Sequence, residues 1–215
     1  MATFALIHGG GGSGWDWHLV AARLRELGHE AVTPDLPIED PRATLRDFTD
    51  TVVAALGAAQ DVVVVGHSYG GFTAPLVAER IGARLLVFVA GMVPAPGEPP
   101  RDWWGNVGFS SPEGLSPVEQ FQHDVPADLV EEGARRGREQ ASAEYAEPWP
   151  GAALPDVPTR ALLFRDDRFF SADLQRRVAR ERLGIVADEL DGSHVALLSR
   201  PNEVAERLVS YLSQG

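Results

Sequence analysis

"VVVVGHSYGG" occupies residues 62–71 and sets a serine among glycines at the end of four consecutive valines. β-Branched side chains suit a pleated sheet, and without polar alternation neither face of the run is wet, so it reads as a central strand buried on both sides. Gly66-His67-Ser68-Tyr69-Gly70 has the form G-x-S-x-G, with that strand before it and a helix predicted from about Tyr69 to Ile81 after it. Glycines flank the serine because a tight strand-to-helix turn holds it in an unfavourable backbone conformation, where neighbouring β-carbons would clash. The turn pushes the Ser68 hydroxyl outward.

The pattern on either side of this unit repeats it. "TFALIH" (3–8) reads as a strand, followed by a glycine-rich turn and a helix with Trp17, Val20, Leu24 and Leu27 at spacings of three and four, closed by Gly28. "EAVTP" (30–34) is a second strand, and Pro41 is expected to open a helix carrying Leu45, Phe48, Val52 and Leu56 on one face. Beyond the valine strand come "RLLVFVAG" (84–91), "TRALLF" (159–164), a helix from about Ser171, "IVADEL" (185–190), and a last helix with Val204, Leu208 and Leu212 inward. Six strands alternating with helices call for a parallel sheet covered on both faces, with ligands bound beyond the carboxyl ends of the strands. Ser68 lies on that edge.

Residues 93–158 interrupt the alternation. Pro94, Pro96, Pro99 and Pro100 are followed by "RDWWGNVGF", a polar helix near 126–143 and "EPWPGAALPDVP", and no strand fits. The stretch is expected to form a mainly helical cap over the carboxyl edge, with residues 1–92 and 159–215 forming the core.

Composition narrows the chemistry. The chain has 215 residues, 44% of them apolar, enough for a full core, and it contains no cysteine, which excludes disulfides, thiolate metal sites and a cysteine nucleophile and points to a reducing, cytoplasmic setting. "MATFALIHGG" lacks a basic n-region and a long apolar run, so neither export nor a membrane span is expected. A formal charge of −12 argues against nucleic acid or an anionic membrane as partner. All 19 basic residues are arginine, which removes Schiff-base chemistry and a P-loop together.

A serine hydroxyl is a poor nucleophile at neutral pH and needs a histidine base oriented by a carboxylate, in the chain order Ser, acid, His. "DGSHVALLSRP" places His194 after the last strand, and "FRDDRFF" places Asp166 and Asp167 after the strand before it. A backbone N–H at Tyr69, just after the nucleophile, is the expected oxyanion donor, joined by one from the loop after the first strand. His8 and His67 also sit near strand ends, but the turn motif already accounts for His67, and local packing is expected of both in place of a zinc site. Asp124, just before the polar helix, reads as an N-cap.

With these segments in view, the chain resembles the α/β-hydrolase superfamily, and within it the small capped group of plant methylesterases and hydroxynitrile lyases with their bacterial esterase relatives. "LIHGGGGSGWDWHLVAARLRELGHEAVTPDLP", "GHSYGG", "DDRFFSADLQRR" and "GSHVALLSRP" carry the resemblance over nearly the whole chain, the cap matching least. The resemblance implies an α/β-hydrolase fold, selects Asp167 over Asp166 as the acid, and puts the second oxyanion donor at Gly10. Val195 stands where the plant lyases carry a lysine, which disfavours cyanohydrin cleavage.

The expectation is a cofactor-independent, metal-free serine hydrolase that cleaves a small, largely apolar carboxylic ester, with Ser68, His194 and Asp167 as the triad. Trp103, Trp104 and Phe169 are the expected pocket residues, and a homodimer is the oligomer to test for. Two other classes share these residues: a binding or sensor protein on the same fold, and a tailoring enzyme such as a thioesterase, cyclase or lyase.

Overall fold

A computed structural model describes residues 1–213. Six strands form one sheet in the order β2-β1-β3-β4-β5-β6, every neighbouring pair parallel. They are β1 (Thr3–Ile7), β2 (Glu30–Val32), β3 (Val62–His67), β4 (Leu85–Val89), β5 (Thr159–Phe164) and β6 (Asp188–Leu190). The valine run is central and splits between two cores: Val62 and Val64 pack on one face with Phe48, Val52 and Val77, and Val63 and Val65 on the other with Val20, Leu24, Val204 and Leu208. Period-two alternation thus supplies both faces from one apolar run. The first face carries α2 (Leu45–Leu56) and α3 (Ala74–Ile81), the second α1 (His18–Glu26) and the C-terminal helix (Pro201–Ser210).

Local departures from the sequence pattern have local causes. The helix expected to open at Pro41 begins at Leu45, because Thr44 and Asp47 form a reciprocal capping box that satisfies the first-turn N–H groups. The helix expected from Tyr69 starts as a 3-10 segment, Ser68–Phe72, before α3 begins at Ala74. The final strand is shorter than "IVADEL": residues 185–187 lie outside the sheet, and Val186 is 95% exposed.

Between β4 and β5 the chain forms α4 (Pro100–Asn106), α5 (Pro117–Phe121), α6 (Ala127–Arg136) and a 3-10 turn at Ala143–Ala146, with no strand among the described residues. The α6 helix stops at Arg136, short of the 143 expected. Glu98 fastens the base of this segment: its buried carboxylate accepts both terminal nitrogens of Arg182, at 2.5 and 2.7 Å, and Asn106 Nδ2 at 2.8 Å. Behind β5 follow α7 (Ala172–Val178) and a π-helical turn at Ala179–Leu183, then β6, α8 (Ala196–Ser199) and α9, the Pro201–Ser210 helix. No helix of the described residues is long and apolar enough to cross a membrane.

Candidate active site

All the chemically equipped loops leave the same sheet edge, because every strand runs the same way. Gly9 and Gly10 follow β1, Ser68 follows β3, Asp167 follows β5 and His194 follows β6. Ser68 has φ +49°, a left-handed conformation that costs a non-glycine residue energy and persists only where its surroundings enforce it. The enforcement is visible at two glycines: a β-carbon on Gly66 would stand 2.8 Å from that of Ala74, and one on Gly70 would stand 2.6 Å from the His8 carbonyl oxygen. No larger residue fits between the strand ends and the helix that follows.

From Ser68 a hydrogen-bonded line runs inward. Its Oγ lies 2.9 Å from Nε2 of His194, and Nδ1 of that ring lies 2.7 Å from Oδ2 of Asp167. A carboxylate only accepts, so Nδ1 carries the ring proton and Nε2 is free to accept from the serine. Asp167 is buried and held from other directions: Oδ1 accepts the backbone N–H groups of Phe169 and Phe170 at 2.8 and 2.9 Å, and Oδ2 accepts Gln175 Nε2 at 3.3 Å. Its neighbour Asp166 faces elsewhere and accepts the Gly192 N–H at 3.0 Å, bracing the loop that carries His194.

Asp124 braces the same loop. Its Oδ2 accepts the Ser193 N–H at 3.2 Å and the Ser199 hydroxyl at 2.9 Å, and the N-cap position of α6 belongs to Pro126, so the helix-cap role expected of Asp124 is not the one it fills. The rings of Phe121, Phe169 and Phe170 surround the His194 imidazole at centroid distances of 5.6, 5.2 and 5.1 Å.

The other two histidines of the strand ends are occupied by backbone. His8 sits between the Gly9 carbonyl, 2.8 Å from Nδ1, and the Leu36 N–H, which donates to Nε2 at 3.0 Å; burial pulls its pKa down to about 4. His67 Nε2 donates to the His194 carbonyl at 2.9 Å, and burial, with His194 alongside, lowers its pKa to about 3. Both are neutral near pH 7. Among the described residues no group of three or more His, Cys, Asp or Glu side chains could hold a metal ion.

Ser68 and His194 open on a cavity of about 540 Å³. Its walls are largely apolar, with Met92, Trp104, Val118, Phe121, Val130 and Phe169 among them, a size and character suited to a small organic molecule. Gly10 and Tyr69 border it, and among the described residues neither backbone N–H donates to an acceptor of the protein. Of the three residues expected to form the pocket, Trp104 and Phe169 line the cavity and Trp103 does not. It is 1% exposed and donates its indole N–H to the Val93 carbonyl at 2.9 Å, because successive residues on α4 face different sides and only one of the two can look into the pocket. A larger hollow, about 650 Å³, borders Phe109, Arg168 and Arg177 and contains no member of the Ser68 line, so the smaller cavity is the one placed for chemistry.

Several site residues are not marked as such by the sequence. Trp15, Phe121 and Gln122 border the cavity, and Gln175 reaches Asp167 from the second turn of α7. Asp16 also borders the cavity; burial pushes its pKa up to about 6, against the opposing pull of the Ser13 N–H it accepts. Its sequence signal is the Ser13-x-x-Asp16 spacing, which announces a helix cap and says nothing of a pocket.

Comparison with known proteins places these features in context. A model described as the alpha/beta hydrolase family matches residues 4–207. The chain is 37% identical over 109 residues to a carbendazim hydrolyzing esterase from Nocardioides sp. (strain SG-4G), a stretch spanning 46% of this chain and 45% of that protein. It is 25% identical over 189 residues to norfluorocurarine synthase 1 from a Strychnos species, spanning 82% and 70%. Among solved structures, polyneuridine aldehyde esterase aligns with a TM-score of 0.83 over 98% of this chain and 99% of that one, at 21% identity, a likeness of fold alone.

Proposed function

Since the chain belongs to the alpha/beta hydrolase family, we propose that it is a serine esterase that cleaves a small, largely apolar carboxylic ester without a cofactor, residues 93–158 acting as the cap that shapes the pocket. One observation carries the reading: an unbroken line from Ser68 Oγ through His194 to buried Asp167, opening on a largely apolar cavity of about 540 Å³. The matched esterase relative and the family model support the same class.

The geometry supports a two-step mechanism. Ser68 Oγ attacks the ester carbonyl carbon while His194 Nε2 takes its proton, giving a tetrahedral intermediate whose negative oxygen is met by the N–H groups of Gly10 and Tyr69. Collapse breaks the bond to the leaving alcohol, which receives the proton from His194, and leaves an acyl group on Ser68. Water, deprotonated by the same imidazole, attacks the acyl carbon, and the acid departs as Ser68 regains its proton. Asp167 keeps the proton of the neutral ring on Nδ1 and stabilises the imidazolium that forms in each step.

The test is a screen of short p-nitrophenyl and aryl methyl esters with wild type and Ser68→Ala, alongside labelling by a serine-directed phosphonate. The expected result is turnover of at least one ester, a loss of ~10⁶-fold in Ser68→Ala, and one phosphonate per chain. An absence of turnover together with an unlabelled Ser68 rejects the esterase reading in favour of a binding protein on this fold. Turnover without release of acid and alcohol would favour a tailoring enzyme on this fold.

A further inference from the structure

Both N–H groups assigned to the oxyanion are main-chain donors, so their aim depends on whatever immobilises the backbone at Gly10 and Tyr69. A single path of hydrogen bonds from the segment between β4 and β5 links the side chain of Tyr69 to the peptide that follows Gly10. The Tyr69 hydroxyl donates to Oε1 of Glu144 at 3.0 Å, and the same oxygen accepts Nε2 of Gln140 at 2.8 Å. Oε1 of Gln140 in turn accepts the N–H of Gly11 at 3.2 Å, the peptide adjoining Gly10.

The orientation of the Gln140 amide follows from its neighbours. Its nitrogen also donates to the Ser142 hydroxyl at 3.0 Å, so both amide hydrogens are used on acceptors and the carbonyl oxygen is left for Gly11. A flipped amide would set donor against donor at Gly11. The main chain reinforces the contact, since Arg138 N–H donates to the Gly11 carbonyl at 3.0 Å. Gly10 lies between the two ends of the path: a β-carbon there would stand 3.6 Å from that of Tyr69 and 3.7 Å from Oε1 of Gln140.

Glu144 is an expensive residue to place there for packing alone. It is 0% exposed, and its Oε2 has no hydrogen-bond partner among the described residues. A buried carboxyl group that is half satisfied costs stability, and an apolar side chain of similar volume would serve a simple anchor at least as well. What an apolar side chain cannot do is accept from Tyr69 and Gln140 at one oxygen.

We propose that Gln140 and Glu144 are positioning residues for the oxyanion hole, tying the Tyr69 side chain and the Gly11 peptide next to Gly10 to one buried carboxylate so that both N–H groups are set before charge develops. The proposal rests on the Ser68 esterase reading above. A set of donors held in place gains most in the transition state and little in the ground state, so loosening it lowers kcat and leaves KM nearly unchanged.

The experiment measures kcat and KM on a p-nitrophenyl ester, and the affinity of a trifluoromethyl ketone that forms a tetrahedral adduct, for wild type, Gln140→Ala, Glu144→Ala, Glu144→Gln and Ser68→Ala. Complete loss of one oxyanion donor typically costs ~10²–10³ in rate, so loosening should lower kcat ~10-fold in Gln140→Ala and Glu144→Ala, with the ketone weakened by a similar factor. Glu144→Gln, which keeps the accepting Oε1, should recover most of the loss. Wild-type kcat and ketone affinity in both alanine variants overturn the proposal, as does a loss confined to KM or one that Glu144→Gln fails to recover. If Glu144→Ala does not fold, Gln140→Ala decides, because it removes the Gly11 link and leaves the Tyr69–Glu144 bond in place. A fully active Ser68→Ala would instead overturn the esterase reading itself, whereas an inactive Ser68→Ala beside fully active Gln140→Ala and Glu144→Ala would overturn only the positioning role.

Discussion

Asp166 and Asp167 are adjacent, chemically identical and differently employed. Asp167 is buried, accepts two backbone N–H groups through Oδ1 and meets His194 through Oδ2; Asp166 is exposed and steadies Gly192. Asn at 167 keeps the size of the side chain but can present an NH₂ to the ring, which favours the wrong tautomer, so Asp167→Asn should lose ~10⁴-fold in kcat/KM on the best ester found, the scale seen for such a change in serine hydrolase triads. Asp166→Asn retains an oxygen for the Gly192 N–H and should stay within ~3-fold of wild type, the small loss expected of a loop brace. The reverse order of the two variants would reassign the acid. By itself "FRDDRFF" leaves both aspartates open, because a carboxylate's partners are decided by tertiary neighbours such as Gln175 and the Phe169 N–H. Glu144 and Gln140 were less legible still. They sit in a polar stretch that reads as surface, and their partners Tyr69 and Gly11 are 75 and 129 residues away in the chain.

At the scale of elements, the strand, turn and helix around Ser68 were readable because three independent signals agree: β-branched residues, glycines on both sides, and helical periodicity after them. The boundaries were less so, since Thr44 with Asp47 outweighs Pro41 as a helix start, and pairing with β5 covers only the last residues of "IVADEL". The tightness of the turn makes a direct prediction. Gly70→Ala would bring a methyl group within 2.6 Å of the His8 carbonyl oxygen and 2.9 Å of the Ile7 carbonyl oxygen, both main-chain atoms at the end of β1. The variant should lose most activity and unfold at lower denaturant concentration, by ~1–3 kcal/mol as overpacked cores do. Gly105→Ala, in α4 with nothing within 4 Å of the added methyl, should instead be neutral or gain ~0.5–1 kcal/mol from helix propensity. Equal stability and activity in Gly70→Ala and wild type would mean that the turn is not sterically constrained.

For the molecule as a whole, a parallel sheet does the essential work by bringing loops from β1, β3, β5 and β6 to one edge, although the Ser68–His194 contact spans 126 positions of sequence. That convergence was legible from the alternation of strands and helices, since parallel order alone dictates which ends coincide. The segment between β4 and β5 reads from sequence as a mainly helical cap, but which of its side chains face the cavity is not legible there. Its aromatic residues divide between core and cavity according to which way α4 turns, as Trp103 and Trp104 demonstrate, and hydrophobicity does not distinguish the two fates. In the proposed mechanism Ser68 carries the acyl group during turnover. Rapid acid quench of the reaction with an activated ester, followed by peptide mass mapping, measures this directly. One added acyl group per chain is expected on the peptide containing Ser68, absent from Ser68→Ala; ester consumption in the wild type with Ser68 never acylated would rule the mechanism out.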